Sequence, residues 1–112
     1  MKKTNLGNWF DPGSSIPIPE KQTWNDPYWI SNCTGSPWEH EAIFCTCKGC
    51  FILYHWSQWQ GHPETCTEIN IEAVMGWIIA NQFVNIDEII STIPFHTIRN
   101  EMKSHLKIKN LS

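Results

Sequence analysis

Apolar residues in the C-terminal half of the chain recur every three or four positions, which is the spacing of one face of an α-helix. Three such segments follow one another, separated by polar residues or a proline. The pattern therefore predicts two to three C-terminal helices whose apolar stripes face a common core. The predicted core positions are Ile71, Val74, Met75, Ile78 and Ile79 in the first segment, Ile86, Ile89, Ile90 and Ile93 in the second, and Phe95, Ile98, Met102 and Leu106 in the third.

Capping and breaking residues set the expected bounds of these helices. Thr67 is the predicted N-cap of the first helix, because its hydroxyl can accept a hydrogen bond from a free backbone N–H group. Asn85 and Glu88 have the spacing of a capping box before the second helix, and Pro94 ends that helix. The predicted helices span about residues 67–83, 86–93 and 95–107.

Residues 1–38 have no helical periodicity. Five prolines lie there among glycine, serine, asparagine and isolated tryptophan residues, and proline both fixes φ and removes a hydrogen-bond donor. We therefore expect an irregular Trp/Pro-rich arm over residues 1–38 and a single domain over residues 39–112. Six of the seven tryptophans lie within the first 59 residues, where they either cover a thin core or form a partner-binding surface.

Residues 41–56 are rich in aromatic and β-favouring side chains on both sides of Lys48-Gly49, which predicts a short hairpin. The same part of the chain is crowded with potential metal ligands. A structural zinc ion takes four thiolate or imidazole ligands, commonly from closely spaced pairs. Eight candidates lie in a window of 34 residues: Cys33, His40, Cys45, Cys47, Cys50, His55, His62 and Cys66.

The path of the chain after Cys50 decides which residues complete such a site. In a hairpin with a two-residue turn, the three clustered cysteines share one face and need a fourth ligand from elsewhere. That ligand is then Cys33, His40, His62 or Cys66. If the chain instead becomes helical, His55 follows about a turn and a half later and closes the site. We predict a small α+β domain stabilised by Zn²⁺, with the ligands drawn from Cys45, Cys47, Cys50, His55 and His40.

Composition narrows the expected partners and compartment. The formal net charge of −3 and the charged fraction of 17% provide no basic field for nucleic acid. Lys2 and Lys3 precede polar residues rather than an apolar run, and no stretch reaches the length of a membrane span. We therefore expect an intracellular protein that does not enter a membrane. In that compartment an odd number of cysteines, five, favours metal ligands or free thiols over disulfides.

The cysteine-rich segment resembles the motif of the second-open-reading-frame proteins of anelloviruses and of the related gyrovirus phosphatase-like protein. That motif has the form W-x7-H-x3-C-x-C-x5-H. In this chain Trp29, His40, Cys45, Cys47 and His55 follow the same order with the spacing W-x10-H-x4-C-x-C-x7-H. The similarity covers roughly residues 24–60, about a third of the chain. It implies a short viral regulatory protein with a Cys/His site.

A second resemblance is to the unique region of polyomavirus small t antigen, whose zinc clusters use C-x-C-x-x-C. Cys45, Cys47 and Cys50 fit that form. This family implies structural zinc and a surface that docks on a type 2A phosphatase scaffold. Both resemblances therefore imply a viral accessory protein whose metal site is structural.

We expect a non-catalytic viral accessory protein that binds a host or viral protein through its tryptophan-rich half, in the host cytoplasm or nucleus. One alternative is a zinc-dependent or phosphatase-like enzyme, in which Glu41 or Glu64 would assist a zinc-bound water. The chain contains no H-E-x-x-H motif, and its only arginine, Arg99, forms no Cys-x5-Arg signature, so catalysis is disfavoured. The other alternative is a zinc-containing nucleic-acid-binding transactivator, which lacks the usual basic patch here.

Overall fold

A small antiparallel sheet forms the centre of the computed structural model, which describes residues 1–59, 61–81 and 83–111, and side chains as far as residue 106. The described strands are β1 (Lys2–Lys3), β2 (Trp9–Phe10), β3 (Ile16–Pro19), β4 (Gln22–Asn25), β5 (Tyr28–Ser31), β6 (Glu39–Cys45), β7 (Phe51–Ser57) and β8 (Thr65–Ile69). The central sheet has the order β3-β6-β7-β8, while β1-β2 and β4-β5 form separate two-stranded ribbons. The hairpin predicted around the cysteines is therefore confirmed as β6-β7.

Three helices follow the strands, as predicted: α1 (Ile71–Ala80), α2 (Ile86–Ser91) and α3 (His96–Leu111). The prediction that α1 begins at Thr67 is wrong, because Thr67 pairs with Leu53 in the sheet. The N-cap is Asn70, whose side chain accepts a hydrogen bond of 2.8 Å from the backbone of Ala73. Asn85 occupies the N-cap of α2 but makes no side-chain capping bond there, so the predicted capping box is not formed.

The helices pack on one face of the central sheet and bury the predicted stripes. The fully buried helical residues are Val74, Met75, Ile78, Ile90 and Met102, and Ile93, just after α2, is fully buried as well. They meet Ile18, Ile43, Cys45 and Phe51 from the sheet in one cluster. Burial of each large apolar side chain contributes about 1.5–3 kcal/mol, so this cluster is the main source of stability. Ile79, a predicted stripe residue, is exposed instead.

The segment predicted to be an irregular arm contains strands, and β3 belongs to the central sheet. β3 is the edge strand beside β6, with Ile16 opposite Cys45 and Ile18 opposite Ile43. Alternate residues of an antiparallel edge strand turn their N–H groups away from the neighbouring strand. Pro17 and Pro19 take those outward positions, where the missing donor costs no ladder bond. Their spacing of two is therefore compatible with a strand, which a proline count alone did not indicate.

The opposite edge of the sheet, β8, is covered by the N-terminal segment. The backbone N–H of Asn5 donates to the carbonyl of Cys66 at 2.8 Å, and the Asn5 side chain accepts from the backbone of Glu68 at 2.9 Å. Thr4 also bonds the carboxylate of Glu68, and Lys2 pairs with Glu64 at 2.5 Å. Both edges of the sheet are therefore closed to a further strand.

The second face of the sheet is aromatic. Phe10, Ile52 and Cys66 are buried there, with Phe44 and Tyr54 packed beside them. The Tyr54 ring stacks on Trp56 with centroids 5.1 Å apart, which extends the aromatic surface toward the end of β7. Among the described residues, no helix has the length and apolar character needed to cross a membrane.

Candidate functional site

The turn between β6 and β7, residues 46–50, is longer than the two residues considered from the sequence. The ladder ends at the pair of Cys45 and Phe51. Two hydrogen bonds then join Thr46 and Cys50. The Thr46 backbone N–H donates to the Cys50 carbonyl at 2.8 Å, and the Cys50 backbone N–H donates to the Thr46 hydroxyl at 3.1 Å. Gly49 has φ of +83°, a conformation that favours glycine. We call this segment the cysteine turn.

The three clustered cysteines do not share a face. Cys45 is fully buried among the core residues on the helix side, whereas Cys47 and Cys50 are exposed on the cysteine turn. Burial, with a smaller contribution from the nearby Cys50, raises the pKa of Cys45 to about 11. Its sulfur is therefore a neutral thiol near neutral pH.

The predicted histidine ligands lie away from the cysteine turn. His55 is opposite Glu41, four positions along the ladder from Cys45, which is roughly 13 Å at the rise of a β-strand. His40 is on the other face, opposite Trp56. Within the described part of the chain, no three His, Cys, Asp or Glu side chains lie together so that they could hold a metal ion. Zinc binding stays a prediction.

The other two thiols are also shielded. The sulfur of Cys33 lies 3.0 Å from the hydroxyl of Ser31 and 3.7 Å from a carboxylate oxygen of Glu20. Burial, reinforced by the charges of Glu41 and Glu20, raises the pKa of Cys33 to about 11 although the Ser31 bond opposes this. Burial raises the pKa of Cys66 as well. Neither has the lowered pKa of a nucleophilic cysteine.

A buried carboxylate and imidazole lie beneath the β4-β5 ribbon. His40 Nδ1 donates to Glu20 Oε2 at 2.7 Å, and the two side chains are only 6% and 5% exposed. The carboxylate also accepts from Gln22 at 2.9 Å, from Ser31 at 3.0 Å and from the backbone N–H of Glu41 at 2.6 Å. Burial alone would raise the pKa of Glu20, but these hydrogen bonds outweigh it and hold the pKa below its ordinary value.

These bonds fix the β4-β5 ribbon to the central sheet. Gln22 and Ser31 belong to the ribbon, while His40 and Glu41 belong to β6, so Glu20 joins the two. His40 Nε2 lies 3.3 Å from the side-chain nitrogen of Gln58, which follows β7. No sequence pattern indicated Glu20, because its partners lie two to 21 positions further along the chain.

A groove opens above this pair, between the β4-β5 ribbon and the ends of β6 and β7, with a volume of about 460 Å³. We call it the aromatic groove. Its aromatic lining is Tyr28, Trp29, Trp38 and Trp56. Its other lining residues are Pro27, Pro37, Gln22, His40 and Gln58. None of these side chains is a carboxylate, a lysine or an arginine.

The rings that line the aromatic groove belong to separate clusters of ring contacts. Tyr28 and Trp38 meet edge to face with centroids 5.3 Å apart, and Trp38 meets Trp59 at 5.5 Å. Trp29 pairs across the ribbon with Trp24 at 5.3 Å. Trp29 remains 56% exposed despite this contact. A concentration of exposed aromatic rings of this kind marks an interaction site more often than scattered apolar residues do.

Three tryptophans that line the aromatic groove carry indole donors without protein partners. Within the described part of the chain, the indole N–H groups of Trp29, Trp38 and Trp56 donate to no protein acceptor. An indole N–H is a donor only, so each is suited to a carbonyl or hydroxyl oxygen of a bound molecule. The clustering of tryptophans in the first 59 residues was the sequence signal for this surface.

A second groove, of about 610 Å³, lies between β3 and α2. Pro17, Ile18, Phe83, Val84 and Ile89 give it an apolar lining. Its described lining lacks the ring clusters and free indole donors of the aromatic groove.

Comparisons of the chain with protein family models, with curated proteins and with solved structures find no match.

Proposed function

We propose that this protein is a non-catalytic binding module that recognises a protein partner through the aromatic groove. The observation that carries the proposal is the convergence of Tyr28, Trp29, Trp38 and Trp56 on one uncharged groove. Tryptophan and tyrosine dominate the energetic centres of protein interfaces, because they bury a large area with few rotatable bonds.

The support beneath the groove favours recognition by a preformed surface. The Glu20 carboxylate anchors the ribbon that holds Tyr28 and Trp29, through its bonds to Gln22 and Ser31. A surface that is ordered before binding loses less conformational entropy when the partner arrives. The same bonds occupy the carboxylate of Glu20 and one nitrogen of His40, so the pair has a positioning role in this proposal.

Nucleic acid is the less favoured partner. Aromatic rings can stack on bases, but single-strand binding proteins combine such rings with a positively charged groove. Among the described residues, the lining of the aromatic groove has no lysine or arginine, and the chain has a net charge of −3.

A structural zinc ion and a viral accessory role remain part of the proposal, on the strength of the sequence motif. Of the predicted ligands, Cys47 and Cys50 are the thiols that an ion could reach from solvent. They can supply two of the four ligands that structural zinc requires. The remaining ligands would come from outside the cysteine turn.

Panning of a random peptide display library tests the proposed function. The library is selected on the wild-type chain and then counter-screened on Trp29→Ala. We expect selected peptides that lose binding to Trp29→Ala but keep it with Trp9→Ala, an equally exposed tryptophan at 61% that lies on β2. Selection of peptides that bind both variants equally would contradict the aromatic groove as the binding surface.

A further inference from the structure

We propose that the occupant of the aromatic groove is a proline-rich peptide segment in the polyproline II conformation. This inference rests on the proposed function, and it names the chemical class of the partner. Three features of the structure lead to it: the closed edges of the sheet, the uncharged ring clusters and the unpartnered indole donors.

The closed edges of the central sheet exclude recognition by strand addition to that sheet. A peptide that joins a sheet needs alternating free N–H and C=O groups along an edge strand. On β3 the outward positions are Pro17 and Pro19, which have no N–H to offer. On β8 the outward groups of Cys66 and Glu68 are already bonded to Asn5. A partner that docks on the central sheet must therefore be recognised by side chains.

The charges exclude recognition of a phosphorylated or acidic motif. Such motifs are bound by clusters of arginine. The chain has a single arginine, Arg99, and its guanidinium donates to the carbonyl of Ile93 at 2.6 Å on the helix side of the sheet. Among the described residues, the lining of the aromatic groove has no lysine or arginine, and its imidazole, that of His40, has Nδ1 bonded to Glu20.

The ring clusters suit the shape of a polyproline II helix. Such a helix has three residues per turn and presents its proline rings as ridges, which enter the gaps between aromatic side chains. Trp29 and Trp38 both line the aromatic groove, and Tyr28 lies edge to face against Trp38. The pyrrolidine ring is apolar and stiff, so it fills such a gap at little entropic cost.

The indole donors suit the backbone of the same helix. A polyproline II segment has no internal hydrogen bonds, so all its carbonyl oxygens are free acceptors. Proline also has no N–H, so the segment brings few donors that would need acceptors in the site. Trp29, Trp38 and Trp56 offer the complementary set, three N–H donors without protein acceptors among the described residues.

The test is a titration of the full chain with acetyl-decaproline-amide, followed by tryptophan fluorescence. We expect saturable binding with a Kd on the order of 10⁻⁴–10⁻³ M, typical of a small interface. An uncharged peptide of the same length made of alternating glycine and serine gives no saturable signal. Trp29→Ala weakens decaproline binding at least about tenfold, as expected for loss of a central aromatic anchor.

Trp24→Ala is the matched control for any loosening of the β4-β5 ribbon that Trp29→Ala causes. Trp24 and Trp29 form one cross-strand pair, so either alanine removes the same contact, but Trp24 does not line the aromatic groove. We expect Trp24→Ala to bind decaproline within about twofold of the wild type. Trp29→Phe keeps a ring and removes the indole N–H, and it should weaken binding severalfold if the donor is used.

The outcomes separate this inference from the proposed function. If display peptides require Trp29 but decaproline does not bind, the polyproline class is wrong and the proposed function stands. If Trp24→Ala and Trp29→Ala lose decaproline equally, the contact is with the ribbon and not the groove, which also overturns the inference. Saturable, salt-dependent binding of a thymidine 15-mer that requires Trp29, with no peptide binding, would overturn both.

Discussion

Glu20 shows how a single buried carboxylate can organise a binding surface. It is 5% exposed, yet its bonds to Gln22, Ser31, His40 and the Glu41 backbone satisfy its charge. A buried charge is stable only when it is bonded in this way. Because these donors come from both the ribbon and β6, the geometry of the aromatic groove depends on it.

We predict that Glu20→Gln destabilises the protein by about 1–3 kcal/mol, because the amide replaces a charged acceptor with a partly donating group. The pKa of Glu20 is lowered in the folded protein, so its contribution is present above its ordinary pKa of 4.5 and is lost as the pH falls through the lower folded value. Urea unfolding at pH 7 and pH 3 should therefore show that Glu20→Gln loses less unfolding free energy on acidification than the wild type does. Glu101→Gln, an exposed carboxylate on α3, is the control. Equal losses of unfolding free energy on acidification in Glu20→Gln and the wild type would contradict this role of the Glu20 carboxylate.

The five thiols should differ in reactivity. Cys47 and Cys50 are exposed, whereas Cys33, Cys45 and Cys66 are shielded and have raised pKa values. Iodoacetamide at pH 7.5, followed by mass spectrometry, should add two groups quickly to the native chain and five after unfolding.

The same alkylation experiment also tests zinc binding by the cysteine turn. If the cysteine turn ligates zinc, added Zn²⁺ slows alkylation of Cys47 and Cys50, because a ligating thiolate is no longer free to attack. Unchanged rates for both thiols would contradict the zinc prediction, and early reaction of Cys45 would contradict its buried position.

At the scale of elements, the cysteine turn is held against α3 by a close backbone approach. A Cβ added at Gly49 would lie 2.9 Å from Ile98 and 3.7 Å from Phe95. Gly49 also has positive φ, so a larger residue meets both strain and a clash. The turn therefore positions the start of α3 as well as the two exposed thiols.

Gly35 allows these two effects to be separated. It has φ of +72°, but a Cβ there meets nothing within 4 Å. We predict that Gly35→Ala costs about 1 kcal/mol from strain alone, while Gly49→Ala costs more because the end of the Ile98 side chain must also move. Chemical unfolding of the two variants measures the difference, and equal losses would show that the turn does not press on α3.

The elements also show what the sequence could and could not predict. Helical spacing identified the three helices and their buried residues, because core packing repeats along one face. It misplaced the start of α1, since Thr67 fits a cap and a strand equally well and the partner that decides, Leu53, is distant in sequence. Pro17 and Pro19 suggested an irregular arm, although alternate prolines are tolerated on an edge strand.

At the scale of the whole molecule, composition predicted the part of the site that depends on residue type. The part that depends on topology could not be predicted from the sequence. The tryptophan-rich N-terminal half indicated a partner surface as one of two interpretations. The choice of Trp29, Trp38 and Trp56 as one groove depends on how the ribbon lies across the sheet. The crowding of cysteines and histidines suggested a shared site, but β-strand alternation places His40 and Cys45 on opposite faces.

The most direct test of the aromatic groove as the binding site is the indole N–H region of an NMR spectrum, recorded with a display-selected peptide. The chain has seven tryptophans, and single Trp→Phe variants assign their signals. We predict that the signals of Trp29, Trp38 and Trp56 move on binding. The signals of Trp9, on β2, and Trp77, which donates to Glu41 at 3.2 Å, should stay in place. Shifts confined to Trp9 or Trp77, with the groove signals unmoved, would contradict the account.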